Sequence, residues 1–278
     1  MIVRHLRVGL LAGVVGMALA PAFPAEGQPP PEDPRSYRGG FAYVGAFFVT
    51  DTQTRLSIFD GDTPLGARVD LNEDLGLRNS LTVPRASLAY RFNKRHMINF
   101  GWYDLTRDAS TTLSRTIDIG GVEFEIGLDV ETEFKTELYK LQYTWLFHSD
   151  SKIQLGLSAG LFVADLGIDI RSELLTESLA AKHDVTAPLP TLGGRLTYNL
   201  TPRLLFLTSA DWFFIDYSGI RGVMSDLQAI VSHRTWKHVG FMGGINVQSV
   251  RAEYDDGDSL WEVDSGLVGF MAGVSFYF

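Results

Sequence analysis

The stretch "VGFMAGVSFYF", residues 268–278, stands at the end of the chain. Val268, Phe270, Ala272, Val274, Phe276 and Phe278 occupy its even positions, and Gly269, Met271, Gly273, Ser275 and Tyr277 lie between them. A period of two sends alternate side chains to opposite faces of a β-strand. Soluble domains usually finish on polar, frayed residues. This chain finishes on an apolar, aromatic-tipped strand face, which needs both a partner strand and an apolar medium.

The same alternation recurs throughout. In "RASLAYRF" (85–92), Ala86, Leu88, Tyr90 and Phe92 oppose Arg85, Ser87, Ala89 and Arg91. In "YKLQYTWLF" (139–147), Tyr139, Leu141, Tyr143, Trp145 and Phe147 oppose Lys140, Gln142, Thr144 and Leu146. "IQLGLSAGLFV" (153–163), "GGRLTYNL" (193–200) and "VGFMGGINVQ" (239–248) repeat the pattern. A soluble sandwich alternates too, but its polar face would be rich in Lys and Glu. Here that face is Gly, Ser, Asn and Gln with sparse charge, which suits a strand with lipid on one side and a lumen on the other.

Ten membrane-length strands are predicted near 39–49, 82–92, 97–107, 136–147, 152–163, 190–200, 203–214, 223–234, 239–250 and 266–278. Four joints are tight: "NKRH" (93–96), "HSDS" (148–151), "TP" (201–202) and "TWKH" (235–238). The alternate joints are mostly long, at 50–81, 108–135, 164–189, 215–222 and 251–265. Short turns on one side and long loops on the other describe an all-β, antiparallel up-and-down transmembrane β-barrel. Its strand count is ten, with eight and twelve as the alternatives. Tyr90, Phe92, Tyr143, Trp145, Phe147, Tyr198, Phe276 and Phe278 fall near the short-turn side, and Trp212 and Phe214 near the other, as interfacial aromatic girdles would.

The amino-terminal segment sets the compartment. Arg4 and Arg7 precede an apolar run from Val8 to Ala20, and Ala20-Pro21-Ala22 offers a small-residue cleavage site. Residues 1–22 therefore read as a secretory signal peptide. The run is short for a transmembrane helix and is closed by Pro21 and Pro24. Residues 21–38 hold six of the 11 prolines, so 23–38 reads as a proline-rich periplasmic tail, and 39–278 as the barrel. The chain has 33 Asp plus Glu against 24 Lys plus Arg and no cysteine. That balance argues against a nucleic-acid partner. The missing cysteine excludes disulfides and thiol chemistry.

Signal peptide, alternating strands and terminal "VGFMAGVSFYF" together resemble a small outer-membrane β-barrel of Gram-negative bacteria. "VDLNEDLGL" (69–77), "YRFNKRHMINFGWYDL" (90–105) and "TAPLPTLGGRLTYNLTPRL" (186–204) look like segments of an uncharacterised proteobacterial barrel family. The resemblance implies an outer-membrane location among lipids and lipopolysaccharide. It also implies that the barrel-assembly machinery reads the closing strand, here through Phe270, Ala272, Val274, Phe276 and Phe278. It implies no cofactor and no established activity.

Two constellations are candidates for function. By parity Arg85, Arg91, Lys140, Arg195, Asp211, Asp226 and Arg234 point into the lumen. They would either line a narrow, anion-favouring path for small solutes or ions or pair to fill it, and the narrow bore of a ten-stranded barrel favours filling. In "VEFEIGLDVETEF" (122–134), Glu123, Glu125, Asp129, Glu131 and Glu133 share one face, opposed by Val122, Phe124, Ile126, Leu128, Val130 and Phe134. That row suits a solvated tall hairpin built on the third and fourth strands, or contacts through divalent cations to lipopolysaccharide phosphates. Its apolar parity slips before Leu138, which predicts a bulge near 135–137. No metal site has ligand spacing. The roles left open are structural, surface-interaction or narrow channel. The alternative is an enzyme acting on lipid A or peptides at the outer rim, where His183 beside Asp184 is the one histidine candidate and no nucleophile motif accompanies it.

Overall fold

The computed structural model describes residues 39–60, 67–119, 122–173, 178–217, 220–255 and 259–278. The expected signal peptide and proline-rich tail lie outside them. All regular elements among the described residues are strands: β1 (Gly39–Asp60), β2 (Ala67–Asp70), β3 (Leu81–Arg91), β4 (His96–Asp104), β5 (Arg107–Thr112), β6 (Ile117–Ile119), β7 (Val122–Phe124), β8 (Asp129–Ser149), β9 (Ile153–Glu173), β10 (Ser178–Asn199), β11 (Leu204–Tyr217), β12 (Ile220–His233), β13 (Val239–Asp255) and β14 (Ser259–Tyr277).

Ten of these strands pair antiparallel in the order β14-β13-β12-β11-β10-β9-β8-β4-β3-β1, and β14 pairs with β1 to close the ring. The expected ten-stranded barrel is therefore the observed fold. The four tight joints fall where the sequence places them, and each is tied by local bonds. At one of them, Asp150 Oδ1 accepts from the backbone N–H groups of Lys152 and Ile153, each at 2.7 Å. The outward face carries the apolar residues of the alternating pattern, including Leu88, Tyr90, Leu141, Trp145, Leu157, Phe241 and Phe270, all exposed. A continuous apolar face of this kind is a lipid-facing surface, because water would penalise it. Rings meet near the short-turn end: Tyr90 packs edge-on to Phe92 at 5.1 Å and stacks with Phe278 at 6.5 Å, and Trp236 lies 6.1 Å from Phe241.

The wall is taller than expected. The 164–189 joint is no loop: β9 and β10 run on as one hairpin, paired from Ile153↔Tyr198 up to Glu173↔Ser178. Strands of 21 and 22 residues extend for ~70 Å along the chain, against the ~10 residues a tilted crossing requires. The predicted strand ends marked the end of the apolar outward face, which is where lipid ends, and the hydrogen-bonded ladder continues into water.

β8 makes the reason visible. β4 and β5 pair with it in one unbroken register, from His96↔Trp145 to Thr112↔Asp129. The predicted bulge near 135–137 is absent; the irregularity lies between Leu146 and His148. Odd residues face outward from Asp129 to Phe147. They are apolar from Tyr139 to Phe147 and acidic at Asp129, Glu131 and Glu133, all exposed. Even residues face inward: Gln142 and Thr144 at membrane level, Val130 and Leu138 above. The apolar set changes face because the outer medium changes from lipid to water, and no backbone defect is needed.

The closing seam depends on two glycines. Gly45 pairs with Gly273 across β1 and β14. A Cβ on Gly273 would stand 2.4 Å from the Val44 carbonyl oxygen, and one on Gly45 would stand 2.5 Å from the Tyr43 hydroxyl. Gly273→Val should therefore destabilise the refolded barrel by roughly 1–3 kcal/mol, with Gly273→Ala milder. Urea unfolding in micelles, read by the cold-gel mobility shift, measures this; a wild-type midpoint for the valine variant would refute the seam's tightness.

Candidate functional site

The lumen is crossed at mid-height by a layer of polar side chains. Asp211 on β11 sits directly across from Asp226 on β12, and both carboxylates are 1% exposed. Like charges in that position repel strongly when desolvated. Lys140, reaching in from β8, resolves the conflict: its Nζ lies 2.6 Å from Asp211 Oδ2 and 2.6 Å from Asp226 Oδ2. Gln142 Nε2 donates to Asp211 Oδ1 at 2.7 Å, and Asn246 Nδ2 to Asp226 Oδ1 at 2.6 Å.

Arginine continues the layer. Arg85 Nη1 donates to Asn246 Oδ1 at 2.9 Å, and its guanidinium lies 5.0 Å from the Phe47 ring centroid and 4.9 Å from that of Tyr103. Tyr103 Oη donates to Gln248 Oε1 at 3.1 Å. Nearer the short turns, Arg195 Nη1 donates to Asn99 Oδ1 at 2.7 Å, and Asn99 Nδ2 to Thr144 Oγ1 at 3.0 Å. Toward the tall end the lumen holds an apolar cluster around Phe47, Tyr103, Leu138, Phe162, Phe213 and Met224. A second cluster, including Leu71, Leu75, Leu77, Phe124, Val130 and Ile170, gathers under the segments after β2 and β5.

Five of the seven residues expected in the lumen, Arg85, Lys140, Arg195, Asp211 and Asp226, take part in this layer or adjoin it. Arg91 and Arg234 do not: they sit at the short-turn rim. Arg91 closes β3 and donates to the carbonyls of Asn93 and Lys94 and to Ser149 Oγ. Arg234 lies just past β12, donates to the Lys237 carbonyl and covers the Tyr277 ring at 5.0 Å. Parity gives their face and says nothing of their height. The amides Asn99, Gln142, Asn246 and Gln248 belong to the same bonded layer and are overlooked by a count of charges. Their signal was inward parity on the same strands.

The acidic row disperses. Asp129, Glu131 and Glu133 stand along the outer face of β8, with Arg171 across from Glu131 on β9. Arg171 itself pairs with Asp169, its Nε 2.9 Å from Oδ1. Glu125 lies in the turn after β7, and the side chain of Glu123 is outside the described ones. No three His, Cys, Asp or Glu side chains converge among the described residues. His183 and Asp184 lie in β10 opposite Ile168 and Gly167; their side chains are outside the described ones. Asp74, expected in an outer loop, binds the Arg115 guanidinium, with Arg115 Nε 2.9 Å from Oδ1, and pins the segment after β5 to that after β2.

The chain matches no family model and no curated protein. Its fold is similar to solved Gram-negative outer-membrane barrels. The outer-membrane protease OmpT of Escherichia coli superposes with a TM-score of 0.58 at 8% identity, covering 88% of this chain and 98% of that one. OprG of Pseudomonas aeruginosa aligns over 87% of this chain and 96% of its own at 15% identity, with a TM-score of 0.34. AlkL, solved in lipid bilayers, aligns over 94% and 97% at 13% identity and 0.39. At 8% identity the superposition on OmpT shows the fold and no activity.

Two outcomes follow from this geometry. Lys140→Ala leaves two carboxylates buried and adjacent, and should cost about 3–5 kcal/mol in urea unfolding. Combining Lys140→Met and Arg85→Met with Asp211→Asn and Asp226→Asn should recover most of that loss; no recovery would mean the layer is not a charge-balanced unit. For Asp74, burial pushes the carboxyl up, but the Arg115 side chain and the backbone N–H of Asp70 outweigh it and hold it below the usual carboxylate value. The group's contribution is then complete above the ordinary carboxylate range and is lost as pH falls through its lowered value. Limited proteolysis near Arg115 with an acid-active protease should accelerate only in that acid window, and Asp74→Asn should show the acceleration already at neutral pH.

Proposed function

We propose that this chain is a closed, non-conducting barrel of the Gram-negative outer membrane whose role lies on its outer face, as a structural or surface-interaction protein. The observation that carries this reading is the Lys140–Asp211–Asp226 layer, extended by Arg85 and Asn246 and backed by apolar side chains. Ions would have to break buried, charge-assisted bonds to pass. The exposed apolar belt with its aromatic rims supports the bilayer location, and the lipid-facing row Phe270, Val274, Phe276 and Phe278 is the part offered to an assembly machinery.

Above the belt the wall changes character. Asp129, Glu131, Glu133, Asp169 and Arg171 present mixed charge where lipopolysaccharide headgroups and external partners would meet it. A porin-like role is disfavoured by the filled lumen. Proteolysis of the kind named for OmpT has little support here: His96, His148, His233 and His238 lie at the short-turn end, and His183, on the tall part of β10, has no nucleophile motif beside it.

Planar-bilayer recording of the refolded full chain tests the reading. It should give no discrete conductance steps above the bilayer baseline across ±100 mV. Reproducible single-channel steps from wild-type protein would overturn it and restore the narrow channel.

A further inference from the structure

At the short-turn end, beneath the polar layer, the barrel opens into a vestibule of about 370 Å³. Arg91, Arg195, Arg203 and Arg234 line it, and among the described residues no Asp or Glu side chain does. Two of these guanidinium groups are oriented by the turns, through the carbonyls of Asn93, Lys94 and Lys237. Arg203 stands exposed at the mouth, its backbone fixed by Thr201 Oγ1. Arg195 forms the inner end: one amino group is spent on Asn99, while Nε is shielded from water and makes no hydrogen bond.

Four cations around one recess repel one another, and a low-dielectric wall sharpens the positive field within it. Above it a cavity of only about 80 Å³ reaches the Lys140 layer, so on the closed-lumen reading the recess ends blindly and serves binding rather than passage. Its volume lies in the ~300–1,000 Å³ range of small-molecule sites and exceeds what a bare oxyanion needs. Arginine forks match the oxygens of phosphate groups.

We propose that this vestibule binds a small dianionic solute of the phosphomonoester type, held in the field of Arg195 at its inner end and Arg203 at its mouth. The proposal rests on the closed-lumen reading only for the blind end; bilayer recording tests that point, and the titration below tests the site.

Full-length protein refolded in uncharged micelles is titrated calorimetrically with glycerol phosphate and with inorganic phosphate at low salt. Glycerol phosphate should bind one to one and more tightly than inorganic phosphate, and tighter inorganic phosphate would overturn the organic assignment. Arg203→Gln, at an exposed position, and Arg195→Gln should each weaken binding about tenfold, while Arg171→Gln on the outer wall leaves it unchanged. Absence of saturable heat with both anions, or equal affinity in wild type and Arg203→Gln, would overturn the site.

Discussion

Closure governs everything else in this molecule. In hydrocarbon no solvent satisfies a free N–H or C=O, so a sheet must bond its last strand to its first. β14 and β1 do so over nearly their whole length, from Phe41↔Tyr277 to Asp60↔Ser259, with one irregularity between Val49 and Asp51. Beyond the ladder, the Gly40 N–H donates to the Phe278 carbonyl at 2.7 Å and the Phe278 N–H returns the bond at 3.0 Å. The alternating terminal stretch, the paired glycines of the seam and the even strand number all serve that requirement.

Where lipid touches the wall, the sequence was readable, because lipid imposes a strict rule. Each outward position must be apolar, and period two then identifies the strands, their faces and the tight joints between them. Above the belt that rule lapses. β9 carries Asp165, Asp169 and Arg171 outward and Ala164, Leu166, Ile168 and Ile170 inward. The ladder continues there with its polarity inverted, so a tall hairpin reads as a loop. The supposed bulge in β8 arose the same way: an inversion of polarity across the membrane boundary imitates a shift of register.

The interior was legible by residue and illegible by partner. Parity brings Arg85, Lys140, Asp211 and Asp226 to one compartment. Their pairing needs the ring order, since Lys140 reaches acids 71 and 86 residues away. Electroneutrality was hidden for the same reason. Counting all seven inward charges suggests a basic lumen, yet the rim arginines bind turns, and the layer itself balances Lys140 and Arg85 against two carboxylates. The apolar cap built on Leu71, Leu75 and Leu77 had no period at all, because it folds through turns, among them the left-handed Gly76 with φ of 70°.

The bonds across the lumen have a mechanical consequence. Lys140 links β8 to β11 and β12, Arg85 links β3 to β13, Tyr103 links β4 to β13, and Arg195 links β10 to β4. None of these strands is a neighbour of its partner in the ring, so each link is a chord across a hoop. A hoop without chords deforms easily into an ellipse under uneven lateral pressure, whereas a hoop with crossing chords keeps its cross-section. The same side chains that fill the lumen therefore act as struts, and they make the barrel a stiff inclusion whose area in the bilayer stays constant as the surrounding lipid changes.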